Sequence, residues 1–103
     1  MNIINCTPHP ITWIKSNGEK EVFNPNGTVP RVSSTIIPVD DMFVKNQLGE
    51  VEGLPLPKED TYYIVSAMVF GACDREDVIA PNTAQAIRDE KGFIIGVPNF
   101  IVK

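Results

Sequence analysis

Apolar residues recur at alternate positions in short runs, and Gly, Pro and Asn separate those runs. A period of two is that of a half-buried strand. Asn2–Cys6 and Ile11–Lys15 read as two strands around Pro8-His9-Pro10. Ser16-Asn17-Gly18 predicts a hairpin turn, because Asn-Gly tolerates positive φ, and Lys20–Phe23 is the returning strand. Asn24-Pro25-Asn26-Gly27 predicts a second turn by the same chemistry. Thr28–Ile37 is rich in β-branched residues, which suit a pleated sheet, and Pro30 makes its beginning an edge or a bulge. Beyond Pro38, Val39–Lys45 is expected as another strand. Gln47–Leu54 carries Leu48, Val51 and Leu54 around Gly49 and Gly53, and Leu54-Pro55-Leu56-Pro57 reads as an extended connector.

Thr61–Val65 predicts a buried strand. Tyr62 and Tyr63 fall on its opposite faces, one toward the core and the other exposed or interfacial. Ser66 is placed to cap a short helix over Ala67–Cys73, its hydroxyl accepting a backbone N–H, and Gly71 weakens that helix. Asp74–Asp77 is an acidic exit loop. Val78–Ala80 reads as a strand and Pro81-Asn82-Thr83 as a turn. Ala84–Ile87 fits either state, Lys91-Gly92 is a turn, and Phe93–Val97 and Asn99–Val102 are strands. The turn spacing predicts a mainly β (β-rich α+β) single domain over residues 1–103. Its expected form is a compact barrel- or sandwich-like antiparallel sheet with one short helix near 66–73.

Composition narrows the chemistry. The net charge of −4 comes with no cluster of Lys or Arg, so the footprint for a nucleic-acid polymer is missing. The acidic residues occur in small groups, too short for a DNA mimic. Cys6 and Cys73 form no C-x-x-C and read as two buried free thiols. One His and two distant Cys make no standard zinc set, and no phosphate-binding glycine loop occurs, so no metal or cofactor is expected. Neither a signal peptide nor a membrane-spanning run is expected, which fits a reducing cytoplasm.

The candidate site residues follow from side-chain type. His9 is the only histidine, and Pro10 restricts it toward an extended backbone, a rigid pedestal for one imidazole. Arg31, Arg75 and Arg88 are the only arginines, and guanidinium suits bidentate phosphate binding. Each has a plainer reading as a surface ion pair; Arg75 lies among Asp74, Glu76 and Asp77. Trp13 suits core packing or stacking on a ligand. Ser66 follows a strand and precedes a helix but lacks the glycines of a nucleophile elbow, so capping is its simpler role.

Several segments resemble a group of small proteins encoded by bacteriophages and prophages. They are Asn5-x-Thr7-Pro8-His9-x-Ile11, Pro25-x-Gly27-x-x-x-Arg31-Val32 and Gly49-Glu50-Val51-x-Gly53-Leu54-Pro55-x-Pro57. Next come Thr61-x-Tyr63-Ile64-Val65-Ser66-x-x-Val69, Arg75-x-Asp77-x-x-Ala80-Pro81 and Arg88-Asp89-Glu90-x-Gly92-x-Ile94-x-Gly96. The resemblance spans nearly the whole chain and implies a phage origin, with no activity attached. That group tends to carry Leu where this chain has Cys6, which argues against a nucleophilic Cys6. Thr7, His9, Arg31, Glu50, Ser66, Arg75, Asp77, Arg88 and Asp89 are polar residues within these segments. They either satisfy one another structurally or converge on a ligand.

Phage origin, size and the lack of catalytic motifs give a leading expectation. The chain binds and sequesters a nucleotide-derived immune signal, of the cyclic oligonucleotide or cyclic ADP-ribose type, in the host cytoplasm. It acts as a homo-oligomer and not as an enzyme. Its expected ligand residues are Thr7, His9, Trp13, Arg31, Ser66, Arg75, Asp77 and Arg88. The alternatives are a protein–protein inhibitor of a host defence factor and a small nucleotide-processing enzyme. The last would use His9 with a carboxylate such as Asp77 or Glu50.

Overall fold

Short β-rich runs broken by turn residues give ten strands and one helix in a computed structural model describing residues 1–103. In chain order they are β1 (Asn2–Asn5), β2 (Ile11–Ile14), β3 (Lys20–Phe23), β4 (Arg31–Pro38), β5 (Val44–Glu52), β6 (Thr61–Ile64), α1 (Ala67–Ala72), β7 (Val78–Pro81), β8 (Ile87–Arg88), β9 (Ile94–Gly96) and β10 (Phe100–Val102). The β-rich α+β class and the single short helix agree with the sequence reading. The expected all-antiparallel sheet does not. The central sheet is mixed, in the order β1-β6-β7-β10, with β1, β6 and β7 parallel and β10 antiparallel to β7. A parallel pair needs a crossover of a dozen or so residues, usually helical, and α1 supplies it between β6 and β7. The sheet is open, with β1 and β10 at its edges, so the barrel alternative falls and a layered, sandwich-like arrangement remains.

Registry sorts the sheet's side chains onto two faces. Tyr63 and Val78 share one face with Ile4, and α1 covers it. Cys6, Tyr63, Val65, Val69, Cys73 and Val78 form the core there, with Val32, Val51, Leu54 and Phe70 packed around them. Ile3, Tyr62, Ile79 and Val102 lie on the opposite face. The β2–β3 hairpin stands over that face, and Val97 ties it in place through Ile14 N–H to Val97 O and Val97 N–H to Thr12 O, both 2.9 Å. Ser66 caps α1 as expected, its Oγ accepting the Val69 N–H at 3.4 Å.

The β4–β5 hairpin departs most from the sequence reading. β4 starts at Arg31, because Pro30 has no N–H for a ladder. Val39–Lys45 is not a strand of its own. Asp40 Oδ1 accepts the N–H groups of Met42 and Phe43, each at 2.8 Å, and folds that stretch into a turn. The chain then returns through the unassigned Gln47 region as the longest strand, β5. Only the base of this hairpin, at Val32 and Val51, packs on the core. The rest is an arm. The Cα radius of gyration is 15.9 Å, against about 13 Å for a compact chain of this length.

Candidate functional site

The Asn5-x-Thr7-Pro8-His9 segment is organised around the Asn5 side chain, which is 2% exposed. Its Nδ2 donates to His9 O and to Phe23 O, both at 2.8 Å. Its Oδ1 accepts from Thr7 N–H at 2.9 Å and faces Thr7 Oγ1 at 2.7 Å. One primary amide therefore joins the end of β1, the proline turn and the end of β3. Thr7 is buried within that network, and its hydroxyl also lies 3.0 Å from His9 O. His9 takes part through its carbonyl, while its side chain stands at an exposed position.

Arg75 and Asp77 form a second network. Arg75 Nε meets Asp77 Oδ1 at 2.9 Å and one terminal nitrogen meets Oδ2 at 2.5 Å. The other terminal nitrogen donates to Pro55 O at 2.7 Å, and the guanidinium lies 5.7 Å from the Tyr63 ring centre. Tyr63 Oη donates to Leu56 O at 2.9 Å. These bonds strap the Leu54–Pro57 connector to the sheet. The Arg75 hydrogen bond holds the Asp77 carboxyl below the usual carboxylate range, and Asp77 in turn holds Arg75 above its ordinary value. Arg88 donates to Gly92 O at 2.8 Å inside its own hairpin, where Asp89 Oδ1 accepts the N–H groups of Lys91 and Phe93. Arg31 and Glu50 are exposed on the arm. Cys6 and Cys73 are free and buried, and burial pushes the Cys6 thiol up.

The eight candidate residues thus do not gather around one opening. Thr7, Ser66, Arg75, Asp77 and Arg88 each have structural partners, and of the eight only Trp13 lines the apolar concavity beside the β2–β3 hairpin. That concavity is a cleft of about 350 Å³ between the β2–β3 hairpin and the sheet face opposite α1. Trp13 and Phe23 come from the hairpin; Ile3, Tyr62, Ile79, Phe100 and Val102 come from the sheet. Its walls are fixed. Trp13 Nε1 donates to Pro98 O at 3.0 Å, and Phe23 meets Phe100 edge to face with centroids 6.0 Å apart. The cleft continues into a larger recess of about 740 Å³ that adds Asn2, Ile4, Glu21, Lys58 and Thr61. Lys15 Nζ lies 5.2 Å from the Trp13 ring centre and 3.8 Å from Glu21.

Sequence reasoning missed Phe23, Phe100 and Ile3; it put Tyr62 and Tyr63 on opposite faces of one strand without saying which is core, and the structure buries Tyr63 and turns Tyr62 to the cleft. Ile3, Tyr62 and Phe100 reach one sheet face through the β1–β6, β6–β7 and β7–β10 pairings, and Phe23 comes over that face from the β2–β3 hairpin; no local pattern announces this. Fold and cleft together define a β-rich α+β protein with an aromatic-walled cleft. No protein-family model, curated protein or solved structure matches this chain. No helix is long and apolar enough to cross a membrane.

Proposed function

We propose that this chain is a small-ligand-binding protein of phage origin that sequesters a nucleotide-derived signal of host defence, the base entering the Trp13–Tyr62 cleft. The observation that carries this reading is the gathering of Trp13, Phe23, Tyr62 and Phe100 around one cleft with a polar, lysine-bearing mouth. Aromatic walls suit a flat ring, and stacking is worth about 1–3 kcal/mol per base. Lys58 and Lys15 lie where the phosphates of such a ligand would emerge; the arginines expected for that task are engaged elsewhere or exposed. Walls fixed by the Trp13–Pro98 bond and the Phe23–Phe100 contact leave little ordering to be done on binding, which favours affinity. The nucleotide-processing alternative needs a carboxylate beside His9. Asp77 is held by Arg75, and no ion pair joins His9 to a carboxylate.

Trp13 is the only tryptophan, so its fluorescence reports on the cleft directly. Titration with cyclic di- and trinucleotides, cyclic ADP-ribose isomers and ordinary nucleotides is the test. The expected result is saturable quenching by one class, with a thermal shift of roughly 10 °C at 100 times Kd, and loss of both in Tyr62→Ala. Unchanged emission and melting across the whole set would overturn the reading.

A further inference from the structure

The outer part of the β4–β5 arm is an amphipathic ribbon with nothing over its apolar face. Cross-strand partners share a face, so the rungs Ser34–Leu48, Ile36–Asn46 and Pro38–Val44 point one way. Thr35–Gln47 and Ile37–Lys45 point the other. The first set presents Ile36, Pro38, Val44 and Leu48 to solvent, with Ile36 and Val44 each 59% exposed. At the tip Val39, Met42 and Phe43 are also more than half exposed. A two-stranded ribbon is marginal in water by itself, and a continuous apolar face of this kind marks an interaction surface.

We infer that this face packs against the same face of a second copy of the chain, arm on arm about a two-fold axis. Three observations favour a second copy. First, no charged side chain lies on the Ser34, Ile36, Pro38, Val44, Asn46 and Leu48 face, so two chains of net charge −4 can meet there without placing like charges in contact. Secondly, Ile36, Val44 and Leu48 on the face and Val39, Met42 and Phe43 at the tip are all between 41% and 81% exposed, apolar area that counts toward the ~800 Å² per partner of a standard stable interface. Thirdly, the face is self-complementary. An axis near the middle rung sets Ile36 beside its own equivalent and brings Leu48 against Val44 of the partner subunit, at the ~10 Å spacing of packed sheets. No residue of the arm lines the cleft, so this assembly stands independently of ligand binding.

Sedimentation of the intact chain at 10–100 µM tests the inference directly, with Ile36→Lys as the interface variant and circular dichroism confirming its fold. The wild type is expected at twice the chain mass and Ile36→Lys at the chain mass with an unchanged spectrum. Site-specific cross-linking supplies the second readout. Cys6 and Cys73 are buried, so a short bis-maleimide should join Asn46→Cys chains into dimers and leave Lys45→Cys chains monomeric. A wild-type monomer at 100 µM would overturn the inference, even if the same face then bound a different protein. So would a dimer that survives Ile36→Lys and cross-links through Lys45→Cys.

Discussion

Replacing Asn5 with alanine separates a structural motif from a binding one. The substitution removes four polar contacts of a side chain that is almost wholly buried. Thr7 N–H loses its acceptor and Phe23 O loses a donor, while His9 O keeps the Thr7 hydroxyl at 3.0 Å. A buried polar group left unsatisfied, here the Thr7 N–H, costs about 1–3 kcal/mol and the lost bond to Phe23 O about 0.5–1.5 kcal/mol more, which puts Asn5→Ala near ~3 kcal/mol. A chain of this length has roughly 5–15 kcal/mol in all, and the melting temperature should fall by roughly 12–24 °C. His9→Ala keeps the carbonyl that Asn5 uses and exposes nothing new, so it should stay within about 0.5 kcal/mol of wild type. Urea unfolding followed by Trp13 fluorescence and by circular dichroism measures both variants on one scale. An Asn5→Ala protein as stable as wild type, or a His9→Ala protein as damaged as Asn5→Ala, would refute the assignment of this segment to an Asn5-centred clamp.

Three further substitutions follow from the same structure. The Asp77 carboxyl is held below its unfolded value by Arg75, so its contribution is present above the unfolded carboxylate pKa near ~3.9 and lost as pH falls through the lower folded value. Asp77→Asn should therefore lie about 1.5–3 kcal/mol below wild type at pH 7 and close on it progressively as pH falls below the unfolded value; a difference in urea midpoints that stays constant on acidification would contradict this. A Cβ at Gly96 would stand 2.8 Å from Ile14 Cδ1 and 2.9 Å from Thr12 O, so Gly96→Ala should lose about 1–3 kcal/mol. Gly71→Ala meets nothing within 4 Å on a helix and should gain up to about 1 kcal/mol; thermal melts giving both changes the same sign would be the wrong result.

The local grammar of this fold was legible. The Asn17-Gly18 turn, the Ser66 cap, the short helix and the two-faced Tyr62-Tyr63 pair all follow from residue chemistry acting within a few positions. The parallel β6–β7 pairing is written in the order of elements too. A strand at 61–65, a helix at 67–73 and a strand at 78–80 are the order of a βαβ unit, which forces the two strands parallel. What no local pattern carries is the partner of β1 and of β10, and with it the cleft. The same reason explains the polar motif residues. Asn5, Thr7, Arg75 and Asp77 satisfy one another or nearby carbonyls, so a run of polar residues that looks like ligand chemistry can equally be the stitching of turns and connectors. The turn at 39–43 escaped because Asp40 acts through its side chain on the backbone, overriding the β-branched pattern around it.

The pairing of residues 2–5 with 61–64 also sets a timetable. The hairpins β2–β3, β4–β5 and β8–β9 each join neighbours along the chain and can close within microseconds of their residues becoming available. β1 cannot. It is made first and waits for a strand some sixty residues downstream, a few seconds at ribosomal speeds of about 5–20 residues per second. Closing that long loop makes docking of β1 a late and slow event by contact-order reasoning. Until then Ile3 and Ile4 have no sheet to enter, and the arm, marginal without the core at its base, carries its apolar face bare. A newly made chain is therefore most exposed to misassembly before its first strand has found its place, and conditions that slow translation lengthen that interval.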